Sequence, residues 1–497
     1  MSNVRVTYSG LISLIMASLR IITGFGFTYI IARLLLPDEL GTWKLILGLT
    51  SSIIFMNAMT TFWSTRDIAR GVDSAKTAIS ITGGFSMISI LIFFVAVVFT
   101  IEETNATEGL IYGIIIIPFL FFYNLLFAIT YGYKPHLINV GQVLYGVVIV
   151  ILSVILVYFL EMGLLGIIIA SAVAYLSAIC LFLHATNGVI KNKISYQYCK
   201  KWFKNSWVTL YHKLNEFIWA FDVLIFALIS GSVIGLAFMT VASSIGTLVG
   251  TASSMSVATY SKILSSDNFG YLQDNMTRVI YFAFPMLLVV ILFAKEGLFL
   301  INPIYIDVYP AVAFFGLLTF FRMFSKLFSS WIEASEKVDV YYESTVKNYL
   351  KSQLFHIPTV RGIRSMSYIT SLVVMLFLLS KNYSDVDLVF FWSIIMLSAE
   401  IPFTIYFYLK AKKIFKIDIE WIRICKYGLT SAASIGFSYY LASMYLVYEK
   451  SIFLFLPNLF LYVITGCIIY FGITYLTDTK TRELTKTILN ELRKRIK

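Results

Sequence analysis

Apolar residues run along this chain in long blocks separated by short polar links. Stretches such as MISILIFFVAVVF (87–99) and VGQVLYGVVIVILSVILVYFL (140–160), taken with their flanks, reach the roughly 20 apolar residues that a bilayer-spanning helix needs. Fourteen such helices are predicted, over 8–33, 43–63, 79–101, 110–131, 140–160, 164–184, 207–230, 235–258, 278–294, 310–330, 367–380, 387–409, 424–447 and 451–477. The eleventh is short and needs a few flanking residues to cross. The first ends at Arg33 with no small-residue cleavage site, so a retained helix is expected there and not a signal peptide.

The basic residues orient these helices. Links that follow odd-numbered helices (34–42, 102–109, 161–163, 231–234, 295–309, 381–386 and 448–450) are short. Counting helix margins, they hold five of the 39 basic residues: Arg33, Lys44, Lys295, Lys381 and Lys450. Thirty-one lie in the N-terminus, the links after even-numbered helices and the tail, densely at KNKISYQYCKKWFK (191–204), KAKKIFK (410–416) and RELTKTILNELRKRIK (482–497). By the positive-inside rule both termini are expected in the cytoplasm, in a multi-pass protein of the cell membrane.

Composition agrees with that class. Hydrophobic residues make up 59% of 497 and charged residues 13%, with a mean hydropathy of +0.83. A soluble domain carries about 25% charged residues. The net charge of +12 sits in loops, which suits an anionic leaflet; with no hydrophilic domain to carry a basic surface, nucleic acid is not expected as a partner. Cys180, Cys199, Cys425 and Cys467 show neither metal spacing nor extracellular pairing, and no cofactor or metal is expected.

One internal repeat emerges at an offset of 194 residues. LLLPDELGTWKLILGLTSSI (34–53) aligns with LISGSVIGLAFMTVASSIGT (228–247), so that Gly41 falls on Gly235. Helices 1–6 and 7–12 then form parallel repeats, a two-lobed transporter plan, with helices 13 and 14 outside it. The expected domains are 1–206, 207–410 and 411–497, the last carrying the basic tail. The fold class is therefore an all-α integral membrane protein of about fourteen helices.

A charge near the bilayer centre costs about 2.5–3.5 kcal/mol on insertion scales and normally faces a cavity or a partner. Arg20 and Lys213 lie on the first helix of each repeat at nearly equal depth, since Lys213 aligns with Leu19. Arg20 shares its face with Ser13, Ala17, Gly24 and Thr28, which suits a cavity; a structural pair with another helix is the alternative. Lys213 can meet Glu216 three residues on, and His212 can meet Glu216 four residues on. Internal neutralisation of Lys213 thus competes with ligand binding, and Glu216 beside His212 is a candidate for proton coupling. Asp222 fits a cavity or a cation on a neighbouring helix. Arg322 and Glu400 suit an ion pair between the tenth and twelfth helices. Asn57 fits sugar hydroxyls or an interhelical hydrogen bond. Gly246, Gly250 and Ser254, four residues apart, favour close helix packing. The chain has no Gly-rich phosphate loop and no nucleophile motif, and no outer link has room for a catalytic domain, so catalytic residues are not expected.

The segment YIIARLLLPDELGTWKLI (29–46), an Ala-Arg-Leu-Leu exit followed by a Pro-acidic-acidic-x-Gly turn, resembles the first-helix exit of the polysaccharide flippase branch of the multidrug/oligosaccharidyl-lipid/polysaccharide transporter superfamily. FDVLIFALISGSVIGLAFMTVAS (221–243) is similar to that family's seventh-to-eighth-helix segment. Ser230-Gly231-Ser232-Val233 departs from its Gly-Pro-acidic turn, and the link 331–366 is long, with 341–355 expected as an interfacial amphipathic helix. The resemblance implies alternating-access export of a polyprenyl-diphosphate-linked oligosaccharide from the inner to the outer leaflet, for cell-surface glycan assembly. It implies a cationic cavity in which Arg20 and Lys213 meet the diphosphate or acidic sugars, and gives Arg33, Pro37, Asp38, Glu39, Gly41, Asp222 and Gly235 mainly structural parts. The expected partners are that lipid-linked oligosaccharide, membrane lipids and polysaccharide-assembly enzymes, and a monomer is expected. Three rival functions remain: a cation-coupled drug or organic-cation antiporter of the same superfamily, which needs cavity acids such as Glu216 and Asp222; a membrane glycosyltransferase or ligase, which needs a larger outer loop; and a non-transporting scaffold or scramblase partner.

Overall fold

The computed structural model describes residues 6–69, 71–104, 106, 108–134, 137–190, 193–204, 206–256, 271–336, 350–417, 420–449, 451–483 and 486; the side chains of 6–15, 17, 18, 21, 102, 108, 208, 212 and 254–256 are outside the description. Among the described residues no strand occurs. Fourteen long helices follow one another there: α1 (Val6–Leu34), α2 (Pro37–Ala69), α3 (Ala75–Glu103), α4 (Gly109–Tyr133), α5 (Leu137–Phe159), α6 (Gly163–Ile190), α7 (Ser206–Ser230), α8 (Ile234–Gly246, continued over Thr247–Ser256), α9 (Tyr271–Leu292), α10 (Tyr309–Ala334), α11 (Gln353–Leu379), α12 (Asp385–Phe415), α13 (Trp421–Tyr445) and α14 (Ile452–Thr477). Eleven of them are long and apolar enough to cross a membrane. The other three are α1, whose described apolar stretch is Ile22–Leu34, α7, which carries Lys213, Glu216 and Asp222, and α13, which is rich in serine and tyrosine.

Three helices start well before their expected positions, among them α9, which opens at Tyr271 where the expected start is 278. Pro37 occupies the first turn of α2 and Glu39 Oε2 accepts the Leu36 amide at 3.1 Å, so the helix begins directly after α1. Lys44, counted with an outer link, is therefore inside α2. Similarly, α11 opens at Gln353 and contains Pro358 and Arg364, so fourteen residues assigned to a link are helical. Of the interfacial helix expected over 341–355, residues 341–349 lie outside the described residues, and 353–355 begin α11. A short helix that the basic run 191–204 concealed spans Tyr196–Lys204. Its anchor is Trp202, fully buried, whose Nε1 donates to Asp67 Oδ2 at 2.9 Å.

The helices cluster into two compact units, Met1–Thr240 with Arg361–Val389, and Val241–Val360 with Phe390–Lys497. Compactness and sequence repetition divide the chain differently, because a repeat is a relation of topology and a unit is one of contact. In the first unit α1 packs on α5, α5 and α4 on α6, and α2 along α7. Gly41 makes that last contact possible: a Cβ there would stand 1.9 Å from the carbonyl oxygen of Val233, in the turn between α7 and α8. Its repeat equivalent Gly235 also lacks room, with a Cβ 2.5 Å from the Phe226 ring. Glu39 Oε1 reaches on to accept the Leu164 amide at 3.1 Å, tying the start of α2 to that of α6.

In the second unit α9 packs against α10 and α13, and α13 against α14, around a core rich in aromatics that includes Tyr281, Phe324, Phe328, Trp331, Phe407, Tyr427 and Tyr470. The expected ion pair forms: Arg322 Nε of α10 lies 3.7 Å from Glu400 Oε2 of α12, whose side chain is fully buried. The small-residue stripe of α8 packs closely, with a Cβ at Gly246 falling 2.6 Å from Phe315 Cβ and one at Gly250 3.2 Å from Thr319 Cγ2. The Ser254 side chain lies outside the described residues.

Both second helices of the repeats change from α to 3-10 winding within their described residues. In α2 the residues Ile54–Asn57 form a 3-10 turn before the α-helix resumes at Ala58. In α8 the 3-10 winding covers Thr247–Ser256. Shifted by the repeat offset of 194, the first break falls on 248–251, inside the second. A 3-10 stretch in mid-helix is uncommon beyond a few residues and marks a hinge or a strained sequence.

Candidate functional site

Helical periodicity sorts the polar residues of α7 onto two faces. Thr209, Lys213, Glu216 and Phe217 recur at spacings of four, three and one, and all line one cavity of about 620 Å³ within the first unit. Asn215, Trp219 and Asp222 lie on a different face, toward α11.

The cavity is closed by α2 and α4. From α2 come Ser51, Phe55, Thr61, Phe62, Thr65 and Arg66, and from α4 Asn124, Phe127 and Tyr131. Hydroxyls, two amides and aromatic rings thus surround two cations and one acid. Lys213 Nζ and Glu216 Oε2 are 2.6 Å apart, and their side chains remain 48% and 66% exposed, so the pair sits in the cavity's open space. Arg66 places its guanidinium 4.6 Å from the centroid of the Phe62 ring one turn back. The rings of Phe55 and Phe217 meet at 4.6 Å across the α2–α7 contact.

Asn57 is part of the cavity wall, but its amide is engaged elsewhere. Nδ2 donates to the Phe121 carbonyl at 3.0 Å, while Oδ1 accepts from the Thr60 hydroxyl at 2.6 Å and from Thr82 at 3.1 Å. One buried residue thereby joins α2, α3 and α4 at the 3-10 turn, and of its two expected uses the interhelical bond is the one formed.

Arg20 faces different surroundings from Lys213. Its Nη1 donates to Gln142 Oε1 of α5 at 2.8 Å, and it lines a separate cavity of about 260 Å³ with Thr23, Phe27, Tyr123 and Tyr145. The sequence alignment of the two cations by depth does not bring them into one cavity. The face residues Gly24 and Thr28 are described, whereas the side chains of Ser13 and Ala17 lie outside the described residues, as does that of His212.

Asp222 is buried in the seam between α7 and α11. Its Oδ2 accepts from the Tyr368 hydroxyl at 2.9 Å, and Tyr368 stacks on Trp219 with centroids 4.2 Å apart. Asn215 Oδ1 accepts from Ser365 at 2.5 Å, and Arg364 lies over Trp219 at 5.2 Å. Asp222 is also within electrostatic reach of Lys44 on α2. Sequence reasoning passed over Arg66, Asn215, Arg364 and Tyr368. The position of Arg66 four residues after Phe62 was the available signal, since that spacing lets a guanidinium stack on a ring of the same helix.

No family model matches this sequence, and no curated relative matches it. Solved structures do. The lipid II flippase MurJ in an inward closed conformation superposes with a TM-score of 0.64 at 16% identity, over 94% of this chain and 99% of that one. An inward-facing multidrug resistance transporter of the MATE family gives a TM-score of 0.59 at 14% identity, over 81% of this chain and 99% of that one. At such identities the likeness is one of fold: the chain shares the fold of these two transporters.

Proposed function

We propose that this chain is a transporter that moves a polyprenyl-diphosphate-linked oligosaccharide from the cytoplasmic to the outer leaflet of the cell membrane, with both termini cytoplasmic. The observation that carries this reading is the first-unit cavity, in which Arg66 and Lys213 stand among hydroxyls, two amides and aromatic rings. A diphosphate crossing hydrocarbon needs fixed cations to offset its desolvation, and aromatic faces with hydroxyls suit sugar rings. The shared fold with a lipid II flippase supports the choice. On this reading the lipid tail stays in the bilayer while the headgroup passes through the cavity, the protein acts as a monomer, and polysaccharide-assembly enzymes supply and consume the substrate.

The test is translocation of a fluorescent lipid-diphosphate sugar in reconstituted vesicles, read by quenching from outside. Arg66→Ala with Lys213→Ala should slow it by about tenfold or more, from the loss of two charge-assisted contacts. Unchanged translocation in the double variant overturns the reading.

A second reading, a cation-coupled drug antiporter, is favoured by one specific feature, the exposed carboxylate of Glu216 in the cavity, and by the likeness to a multidrug transporter. It requires organic-cation efflux that survives Lys213→Ala and is abolished by Glu216→Gln.

A further inference from the structure

The Lys213–Glu216 pair is unusual in its setting. Both members project from one face of α7 into the open space of the cavity, and both keep about half or more of their side-chain surface free, at 48% and 66%. The carboxylate therefore occupies, at 2.6 Å from Nζ, the position that an anionic group of a ligand would take on Lys213. We infer that Glu216 is a resident stand-in for the substrate's anion: the phosphate group of a lipid-linked diphosphate displaces it from Lys213, and Glu216 thereby sets which anions the cavity accepts. The inference rests on the cavity being the substrate site, as proposed above.

The exchange conserves one ion pair and is selective for that reason. A ligand carrying a single carboxylate offers Lys213 nothing that Glu216 does not, and it forfeits association entropy besides. A diphosphate brings two charged groups. One can replace Glu216 on Lys213 while the other engages Arg66, the second cation of the same wall. The charged groups lining this cavity, among the described residues, are Arg66 from α2 and Lys213 and Glu216 from α7, so the competition is confined to these three. Displaced, Glu216 needs no new partner, since its side chain is already two-thirds exposed. The pair is also weak enough to be exchanged: solvent-accessible ion pairs three residues apart on a helix contribute little to stability.

Glu216 thus acts opposite in sign to the cavity's cations. Removing it should tighten anion binding, whereas removing either cation should loosen it.

The experiment uses the full-length protein in nanodiscs and a short-chain prenyl-diphospho-N-acetylglucosamine, with the matching prenyl monophosphate as a singly bridged control. Binding is measured by calorimetry at fixed low salt. Glu216→Gln should bind the diphosphate about two- to fivefold more tightly than the parent and narrow its preference over the monophosphate. Lys213→Gln should weaken diphosphate binding and remove the gain when combined with Glu216→Gln. Glu216→Asp, which shortens the side chain but keeps the charge, should stay close to the parent or weaken the pair only slightly. If the parent binds the diphosphate and Glu216→Gln binds it equally or less tightly, the stand-in is overturned while the flippase reading stands. If the parent binds the diphosphate at no concentration tested, both fall. If Glu216→Gln tightens every anion alike, the selectivity part is overturned.

Discussion

Asp478, at the end of α14, has a buried carboxylate held by several donors. It accepts from the Tyr427 hydroxyl at 2.8 Å, from the Thr481 amide and hydroxyl at 3.1 and 2.8 Å, and from Arg423 Nε at 3.3 Å. Burial opposes its charged form, yet the bonds from Tyr427 and Thr481 and the field of Arg423 outweigh burial and hold the carboxyl below the usual carboxylate range. Because the folded value lies below the unfolded one, this stabilisation is fully present above the unfolded value, near pH 4, and is lost as pH falls through the folded value. Asp478→Asn should therefore lower stability by about 1–3 kcal/mol at neutral pH, and its thermal unfolding should lose less on acidification than the parent's. Equal acid sensitivity in the two proteins would sink this account. Single residues of this sort were half legible in the sequence. Arg322 and Glu400 could be paired by depth alone, but of the donors of Asp478 only Thr481 is local, and Arg423 and Tyr427 reach it through the packing of α13 on α14.

Among the elements, α2 and α7 carry the cavity, and each was read correctly only in part. The apolar block of α2 gave its existence, but its start at Pro37 lies ahead of the expected 43, and the 3-10 winding at Ile54–Asn57 has no signature in hydrophobicity. Its cause is tertiary, a side-chain amide bonded to the Phe121 carbonyl of α4 and to hydroxyls on α2 and α3. For α7 the Lys213–Glu216 spacing was decisive, because three residues apart on a helix is contact distance whatever surrounds it. The Asn57 network predicts that Asn57→Ala will destabilise the protein by about 1–3 kcal/mol. It should also lower diphosphate-sugar translocation, measured in the same vesicles at a temperature where the variant is folded. Full activity under those conditions would mean that the turn does not matter to the cavity.

At the scale of the molecule, the count of helices was legible because water and hydrocarbon impose it on every block, and charge sorting supplied a direction for each link. The pairing of helices was not legible. Arg20 and Lys213 align by depth in the repeat, yet Arg20 faces Gln142 and Lys213 faces α2, since depth along a helix says nothing about rotation around it. The proposed orientation is checked by single cysteines in a background with the four native ones replaced. Asn382→Cys should react with a membrane-impermeant thiol reagent in intact cells, and Lys412→Cys only after permeabilisation; the reverse pattern overturns it. Rotation is also what the break in α2 controls. A 3-10 helix advances 120° and about 2.0 Å per residue against 100° and about 1.5 Å for an α-helix. Rewinding the four residues Ile54–Asn57 as α-helix would turn everything beyond them by about 80° and draw it in by about 2 Å. Arg66 lies beyond them, so its bearing toward the cavity is a phase angle fixed by a buried asparagine more than two turns away.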